Sequence, residues 1–380
     1  MTFTDVDHGH MARALELARR GLYTTRPNPR VGCVVVRDGV VVAEGWTLPA
    51  GGLHAEARAL QMAGELARGA TVYCTLEPCA HHGRTPPCAD ALVRARPGRV
   101  VVAAGDPFDR VDGEGLRRLR ESGIGVETGL FEAEARALNP GFHARHERGR
   151  PWVRLKLAAS LDGRTAMASG ESRWITGPEA RRDVQHLRAR SCAVVTGIGT
   201  VRADDPRLNL RPEELSDLPE FDLAFLAEHP PLRVVLDGRL ETPPDARLLD
   251  GPGALVVTGP DADPGRREVL ARRAGILEVA MRAGRPDLAA VLAELARRDC
   301  NEVLLECGPG LAAAALEADL VDELWLYQAP VLLGRSARPL AALDFTTMAE
   351  RLRFSVREIT RIGDDARWVL TPSGNGGEGT

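Results

Sequence analysis

Lysine is almost missing from this chain of 380 residues: of its 49 basic residues only Lys156 is a lysine. Arginine and lysine differ in shape, hydration and ability to lose a proton. A solitary lysine in an arginine-using chain therefore marks either a chance survivor or a position that needs a compact, titratable ammonium. No apolar run approaches the ~18 residues that cross a bilayer, which excludes a spanning helix. The first ten residues, MTFTDVDHGH, lack the basic start and apolar stretch of a signal peptide, so a cytoplasmic chain is expected. A disulfide framework is lacking too. The seven cysteines (33, 74, 79, 88, 192, 300, 307) are odd in number and scattered, which suits reduced thiols available to a metal. A strong positive charge is also absent: at net −4 and pI near 6.2 a general nucleic-acid surface is disfavoured. Local basic sites for a phosphorylated small molecule stay open.

What is present is the composition of a folded protein, 44% hydrophobic and 27% charged, long enough for two or three domains. Apolar residues at helical spacing predict an opening helix from Asp7 to Arg20, with Gly21 as its C-cap. The runs 31–36 and 40–43 flank a Gly-containing turn and read as a hairpin. A helix over 54–67, a strand over 71–75, a short helix from Cys88, a strand over 100–104, a helix over 114–122 and the strand GVET complete a three-layer α/β/α domain of about five strands. Residues 139–151, NPGFHARHERGRP, read as a linker, which gives a first domain over 1–146. The second, over 150–372, alternates strands at 152–159, 192–197, 233–237, 254–258, 302–306 and 323–330 with helices over 179–190 and after Gly308. Some thirty residues between Gly197 and Leu232 show no periodic element and read as a loop or lid. The tail 373–380 is expected to be disordered.

His54-Ala55-Glu56 opens a predicted helix, and Cys79 and Cys88 bracket a polar, proline-rich loop. One histidine and two cysteines are zinc ligands in type. Three protein ligands leave the fourth tetrahedral position to water, as catalytic sites do, whereas structural sites are usually closed by four. His81 and His82 are rival fourth ligands. Two thiolates offset the dication's charge and weaken its pull on that water, so a nearby carboxylate should carry its proton, and Glu56 is placed to do so. An H-x-E segment followed by a P-C segment and a second cysteine is the pattern of zinc nucleobase deaminases, although here the cysteines are nine positions apart instead of three. A zinc-stabilised nucleotide- or RNA-binding module is the rival from another class; it would not need Glu56.

These residues, together with Pro27-Asn28-Pro29-Arg30-Val31-Gly32, Thr75-Leu76-Glu77-Pro78, Lys156-Leu157-Ala158-Ala159-Ser160-Leu161-Asp162-Gly163-Arg164 and Ser172-Arg173-Trp174-Ile175-Thr176, resemble the bifunctional riboflavin-biosynthesis deaminase/reductase family over about residues 8–370. The resemblance implies a cytidine-deaminase-like domain and a dihydrofolate-reductase-like α/β domain. It implies deamination of 2,5-diamino-6-ribosylamino-4(3H)-pyrimidinone 5′-phosphate and then reduction of its ribosyl side chain to ribityl, with Zn2+ and NADPH as cofactors and a homo-oligomer, dimer or tetramer. By the same resemblance Asn28 holds the pyrimidine edge, and His81, Arg84 and Asp106 line the substrate site. Two departures bear on the ribose phosphate: Thr47 stands where the family commonly has histidine, and Phe108 ends its usual Asp-Pro-Asn.

In the second half, Glu306-Cys307-Gly308-Pro309-Gly310 is a strand end, a glycine turn and a helix start, where backbone amides can hold a pyrophosphate. It is not a Rossmann fingerprint, and Thr196-Gly197-Ile198-Gly199-Thr200 lacks the third glycine of one. The resemblance assigns NADPH contacts to Ala158, Trp174, Thr200, Asp204 and Gly308, Pro309, Gly310, Leu311, Ala312, Ala313 and Ala314. It assigns substrate contacts to Ser172, Arg188, Leu208, Arg211 and Glu306, with the two arginines suited to a phosphate. Lys156 is expected beside the sugar being reduced.

Overall fold

In a computed structural model the described residues are 3–83, 85–108 and 113–373, and the chain divides into two compact units, Met1–Arg150 and Pro151–Thr380. The first unit runs α1 (Asp5–Arg19), β1 (Gly32–Arg37), β2 (Val40–Trp46), α2 (Ala55–Ala63), β3 (Thr71–Leu76), α3 (Cys88–Ala95), β4 (Arg99–Ala104), α4 (Glu114–Glu121), β5 (Gly125–Thr128), α5 (Glu132–Leu138) and α6 (Pro140–Arg148). Its sheet has the order β2-β1-β3-β4-β5, antiparallel through the β1–β2 hairpin and the β1–β3 pair and parallel onward. The valines of β1 and β4 are covered on both faces, as the central strands of a helix-flanked sheet must be.

Two glycines let helices approach that sheet closely enough to bring the site residues together. A Cβ on Gly45 of β2 would lie 2.2 Å from the carbonyl oxygen of Ala55, at the start of α2. One on Gly115 of α4 would lie 2.0 Å from the carbonyl oxygen of Pro78, beside Cys79.

The second unit continues with β6 (Trp152–Ala159), β7 (Arg164–Ala166), α7 (Pro178–Arg190), β8 (Ala193–Gly197), α8 (Ile198–Asp204), α9 (Glu220–Glu228), β9 (Leu232–Leu236), β10 (Ala254–Thr258), α10 (Pro264–Ala271) and β11 (Gly275–Glu278). Then follow the two-residue strands β12 (Met281–Arg282) and β13 (Arg285–Pro286), α11 (Leu288–Arg297), β14 (Glu302–Glu306), α12 (Pro309–Glu317), β15 (Glu323–Gln328), β16 (Arg338–Pro339), β17 (Arg353–Ile362) and β18 (Asp365–Ser373). Nine strands form one sheet in the order β11-β10-β9-β8-β14-β6-β15-β18-β17. Its pairs from β11 to β15 are parallel, and the β17–β18 hairpin closes one edge antiparallel. The carboxyl ends of β8, β14, β6 and β15 therefore open on one side, where ligands of such sheets bind.

Four sequence expectations need correction. The stretch over 139–151 is largely helix: α6 occupies it and buries Phe142, His143 and Ala144, so the first unit runs past residue 146. The segment between Gly197 and Leu232 is no bare loop, since it holds α8, a 3-10 turn over Pro212–Leu215 and α9. Gly21 is not the cap of α1, which ends at Arg20 with its N–H bonded back to Ala18 and Leu17. Ser373 belongs to β18, and the rest of the expected tail, like Arg84, lies outside the described residues. The 353–373 hairpin was not anticipated; its first strand is mostly exposed and offers no alternating apolar pattern to find.

Candidate active site

The first unit gathers His54, Cys79 and Cys88 into a set whose ligand atoms all lie within 4.8 Å of one another. His54 is the N-cap of α2 but makes no side-chain capping bond, so its ring turns to the thiols: Nδ1 is 3.6 Å from Cys79 Sγ and 3.4 Å from Cys88 Sγ. Its Nε2 lies 3.3 Å from Thr85 Oγ1. Cys88 opens α3, and its backbone N–H donates to Cys79 Sγ over 3.3 Å. Hydrogen bonding from the Cys88 thiol, from His54 and from this N–H holds Cys79 down to about 4, while the Cys88 thiol beside it is pushed up. A half-buried thiolate facing an imidazole and a second, buried thiol is a donor set for a borderline-soft cation, and zinc fits it. His81 and His82 are not part of this set among the described residues.

Glu56 lies one helical step beyond His54 and is 3% exposed. Burial, with the neighbouring Cys79, pushes its carboxyl up to about 7, the range in which a group can both take and give a proton. Asp106, at the end of β4, is likewise buried and pushed up to about 7, chiefly by desolvation; its Oδ1 accepts from the Phe108 N–H over 2.9 Å. His81 packs its ring edge-on to Phe108, and Phe108 packs against His146 of α6. Asn28 is half-buried in the turn before β1, its N–H bonded to the Thr25 carbonyl. Thr47 is buried, and its hydroxyl accepts from the Val31 N–H over 3.2 Å.

Two positioning residues escaped the sequence reading. Glu77 spreads its carboxylate over the N–H groups of Gly113, Gly115 and Leu116 at the start of α4, which fixes the turn carrying Cys79. Asn139 brackets Arg30, accepting from its N–H and donating to its carbonyl, and so seats the Pro-Asn-Pro-Arg segment from 109 positions away. Glu77 sits inside a motif that the sequence showed, but nothing local says what it caps; Asn139 before Pro140 read only as turn chemistry.

In the second unit the parallel register sets Glu306 of β14 beside Lys156 of β6, and Lys156 beside Trp325 of β15. Arg188 of α7 grips Glu306 bidentately, Nε to Oε1 at 2.5 Å and Nη2 to Oε2 at 2.9 Å, while its Nη1 donates to the Asn209 carbonyl. All three nitrogens of this guanidinium are thus engaged, and it orients Glu306. Despite burial, Glu306 is held below its usual range by Arg188 and Lys156, and burial pushes the Lys156 ammonium down. Arg211 is 39% exposed at its side chain, and among the described residues its guanidinium bonds one side chain, Nη1 to Glu214 at 2.7 Å.

Thr200 of α8 accepts the Gly308 N–H over 3.2 Å, joining the ends of β8 and β14 at the start of α12. Ser172 bonds Asp204 over 3.4 Å. Trp174 is 65% exposed, with the Arg181 guanidinium over its ring, and Ala158 is half-buried. Of the expected cofactor turn, Pro309, Gly310, Leu311 and Ala314 stay at least partly exposed. Ala312 and Ala313 turn their side chains into the core, and Leu208 is buried likewise, so these three could meet a ligand through backbone only.

Residues 151–367 match the family model of the RibD C-terminal domain, and residues 4–104 match that of the cytidine and deoxycytidylate deaminase zinc-binding region. The chain is 48% identical to the riboflavin biosynthesis protein RibD of Escherichia coli, with 94% of this chain and 97% of the relative covered. It is 44% identical to that of Haemophilus influenzae, covering 98% and 100%. A solved RibD of Acinetobacter baumannii superposes with a TM-score of 0.89 at 47% identity, covering 97% of this chain and 99% of the other. A Thermotoga maritima structure described as a diaminohydroxyphosphoribosylaminopyrimidine deaminase/5-amino-6-(5-phosphoribosylamino)uracil reductase superposes at 0.82 with 30% identity, covering 97% and 99%.

Proposed function

The chain belongs to the RibD family of bifunctional riboflavin-biosynthesis enzymes, and from that membership we propose which of its residues perform each half-reaction. The first unit deaminates the phosphoribosylated diaminopyrimidine; the second reduces the ribosyl side chain of the product to ribityl. The observation that carries the first assignment is the buried Glu56 beside a three-donor metal set with no fourth protein ligand among the described residues.

His54, Cys79 and Cys88 would hold a zinc ion, which when bound would supply Lewis acidity to the attacking water. Glu56 takes one proton from the attacking water as its oxygen bonds the amine-bearing ring carbon and delivers it to the ring nitrogen; it then takes the remaining proton of the added hydroxyl and delivers it to the leaving amine. The carbon–nitrogen bond breaks, a carbonyl replaces it, and ammonia leaves. Asn28, His81, Arg84 and Asp106 orient the pyrimidine. In the second unit NADPH is the reductant that fits: the start of α12 at Gly308 and the Thr200 segment offer amides and a hydroxyl to its phosphates. Ser172, Asp204, Trp174 and Ala158 are assigned to the cofactor and sugar, Lys156 and Glu306 to the reacting sugar, and Arg211 to its phosphate.

The test separates the halves. Zinc-loaded protein given the diaminopyrimidine substrate should release ammonia without NADPH and oxidise NADPH only afterwards. Glu56→Gln should keep zinc and lose about 10²–10⁴-fold in ammonia release, whereas Cys88→Ser should lose the metal itself; both should reduce the deaminated intermediate at the parent rate. An active Glu56→Gln enzyme would overturn the assignment of the proton carrier.

A further inference from the structure

α7 turns two polar side chains into the second unit, Gln185, 2% exposed, and Arg188, 8% exposed. Three positions apart, they share one face of the helix. Arg188 gives two nitrogens to Glu306 and the third to the Asn209 carbonyl, over 3.0 Å. Gln185 reaches the same short segment: its Oε1 accepts from the Arg211 backbone N–H over 3.1 Å. Both ends of Asn209-Leu210-Arg211 are thus tied to α7 by side chains.

A glutamine buried in the middle of a helix is costly unless its amide is used. Residues 205–211 belong to neither helix nor strand, so no ladder pairs the Arg211 N–H, and Gln185 supplies the acceptor. The segment does not hold its course by its own preference. Leu208 is buried in it with φ 53°, a left-handed conformation that a leucine adopts only where its surroundings impose it. Pro212 then keeps Arg211 extended, at φ −121° and ψ 100°. The path of this backbone decides where the Arg211 guanidinium stands. Against the effect of burial, Arg188, Lys156 and then Arg211 hold Glu306 below its usual range, so the Arg211 charge lies within electrostatic reach of the sheet-end site.

We propose that Gln185 is a positioning residue that gives the reductase its preference for a phosphorylated sugar: by fixing the Arg211 backbone it holds that guanidinium where the substrate phosphate arrives. Gln185 itself touches neither substrate nor cofactor in this role. The role rests on Arg211 meeting that phosphate, as assigned above.

Full-length protein with NADPH is given the deaminated intermediate and, separately, the same compound without its phosphate, in parent, Gln185→Met, Arg211→Ala and doubly substituted forms. The readout is the ratio of kcat/KM for the phosphorylated over the unphosphorylated compound. Both rates come from one preparation, so partial misfolding lowers them together and leaves the ratio alone. Arg211→Ala should lower the ratio about tenfold or more, the loss of a charge-assisted bond. Methionine matches glutamine in length but its thioether is a poor acceptor. Gln185→Met should therefore lower the ratio about three- to tenfold, through KM, with kcat and NADPH affinity retained. In the Arg211→Ala background it should lower the ratio no further, since the group it positions is gone. Gln185→Asn, which keeps the amide but draws it back by one carbon, should act in the same direction, and it replaces Gln185→Met if that protein does not fold. A parent ratio in the Gln185 variants, or a full additional loss in the double variant, would overturn the positioning role. A parent ratio in Arg211→Ala would refute instead the assignment of Arg211 to the phosphate.

Discussion

The two candidate ligand sites of this chain face opposite electrostatic problems. The metal set of the first unit brings together two thiols and two buried carboxyls, Glu56 and Asp106, with His54 as the nearest cation-forming group among them. Burial pushes both carboxyls up to about 7. The sheet-end site of the second unit is already balanced: Arg188 and Lys156 flank Glu306 and hold it ionised. One site is completed by a cation from outside, the other is assembled before any ligand arrives.

Removing the metal should break that comparison most visibly. Chelation should abolish ammonia release and lower the unfolding temperature of the first unit while leaving reduction of the deaminated intermediate intact. A ligand present at a hundredfold its Kd stabilises the form that binds it by about 2.7 kcal/mol, so calorimetry should show one transition falling and the other staying. Two transitions that fall together would mean that the metal stabilises both units, and the contrast would be lost.

The next largest effect falls on the second unit. Arg188→Met leaves the Glu306 carboxylate buried without its bidentate partner, and breaking such a pair from one side costs about 3–5 kcal/mol. Arg211→Ala removes a half-exposed guanidinium instead. It should leave the unfolding temperature nearly unchanged but weaken the phosphorylated substrate of the reductase by about 1.5–3 kcal/mol, the worth of a hydrogen bond to a charged group, with NADPH affinity retained. Denaturation curves and substrate titrations of the two variants check this; equal losses of substrate affinity without a stability difference would return Arg188 to the role of a phosphate ligand.

The same contrast explains what could be read from the sequence. The metal site was legible because its parts are local: His54 and Glu56 share one helical turn, Cys79 and Cys88 bound one loop, and each residue type is rare enough to signal chemistry. The sheet-end site joins Lys156, Arg188, Arg211 and Glu306 from four elements, and arginine in so arginine-rich a chain carries little signal. Composition singled out Lys156; family resemblance alone picked out the other three, and it could not say that Arg188 would pair with Glu306. Strands with short continuous apolar runs, such as β10 and β14, were placed to within a residue because parallel strands are apolar on both faces. α6 and α9 were missed for the opposite reason. α6 buries the consecutive residues Gly141, Phe142, His143 and Ala144 after a proline, and α9, EFDLAFLAE, has apolar residues around most of its circumference, so neither shows an amphipathic stripe.

The smallest expected effect concerns Lys156, the single lysine. Its ammonium is half-buried on β6 between the registers of Glu306 and Trp325, and burial lowers its affinity for a proton. Lys156→Arg keeps the charge beside Glu306, so the balance of the site should survive. The guanidinium is broader and planar and does not release a proton near neutral pH. Fitting it should cost about 1 kcal/mol of stability, and NADPH oxidation with the deaminated intermediate should slow while ammonia release stays at the parent rate. If the lysine is only a chance survivor among arginines, the variant instead reduces at the parent rate with stability within about 0.5 kcal/mol. Steady-state NADPH oxidation, read beside thermal unfolding, decides between these: a slowed reductase in a protein that still folds assigns Lys156 to the reaction, because charge alone has been held constant.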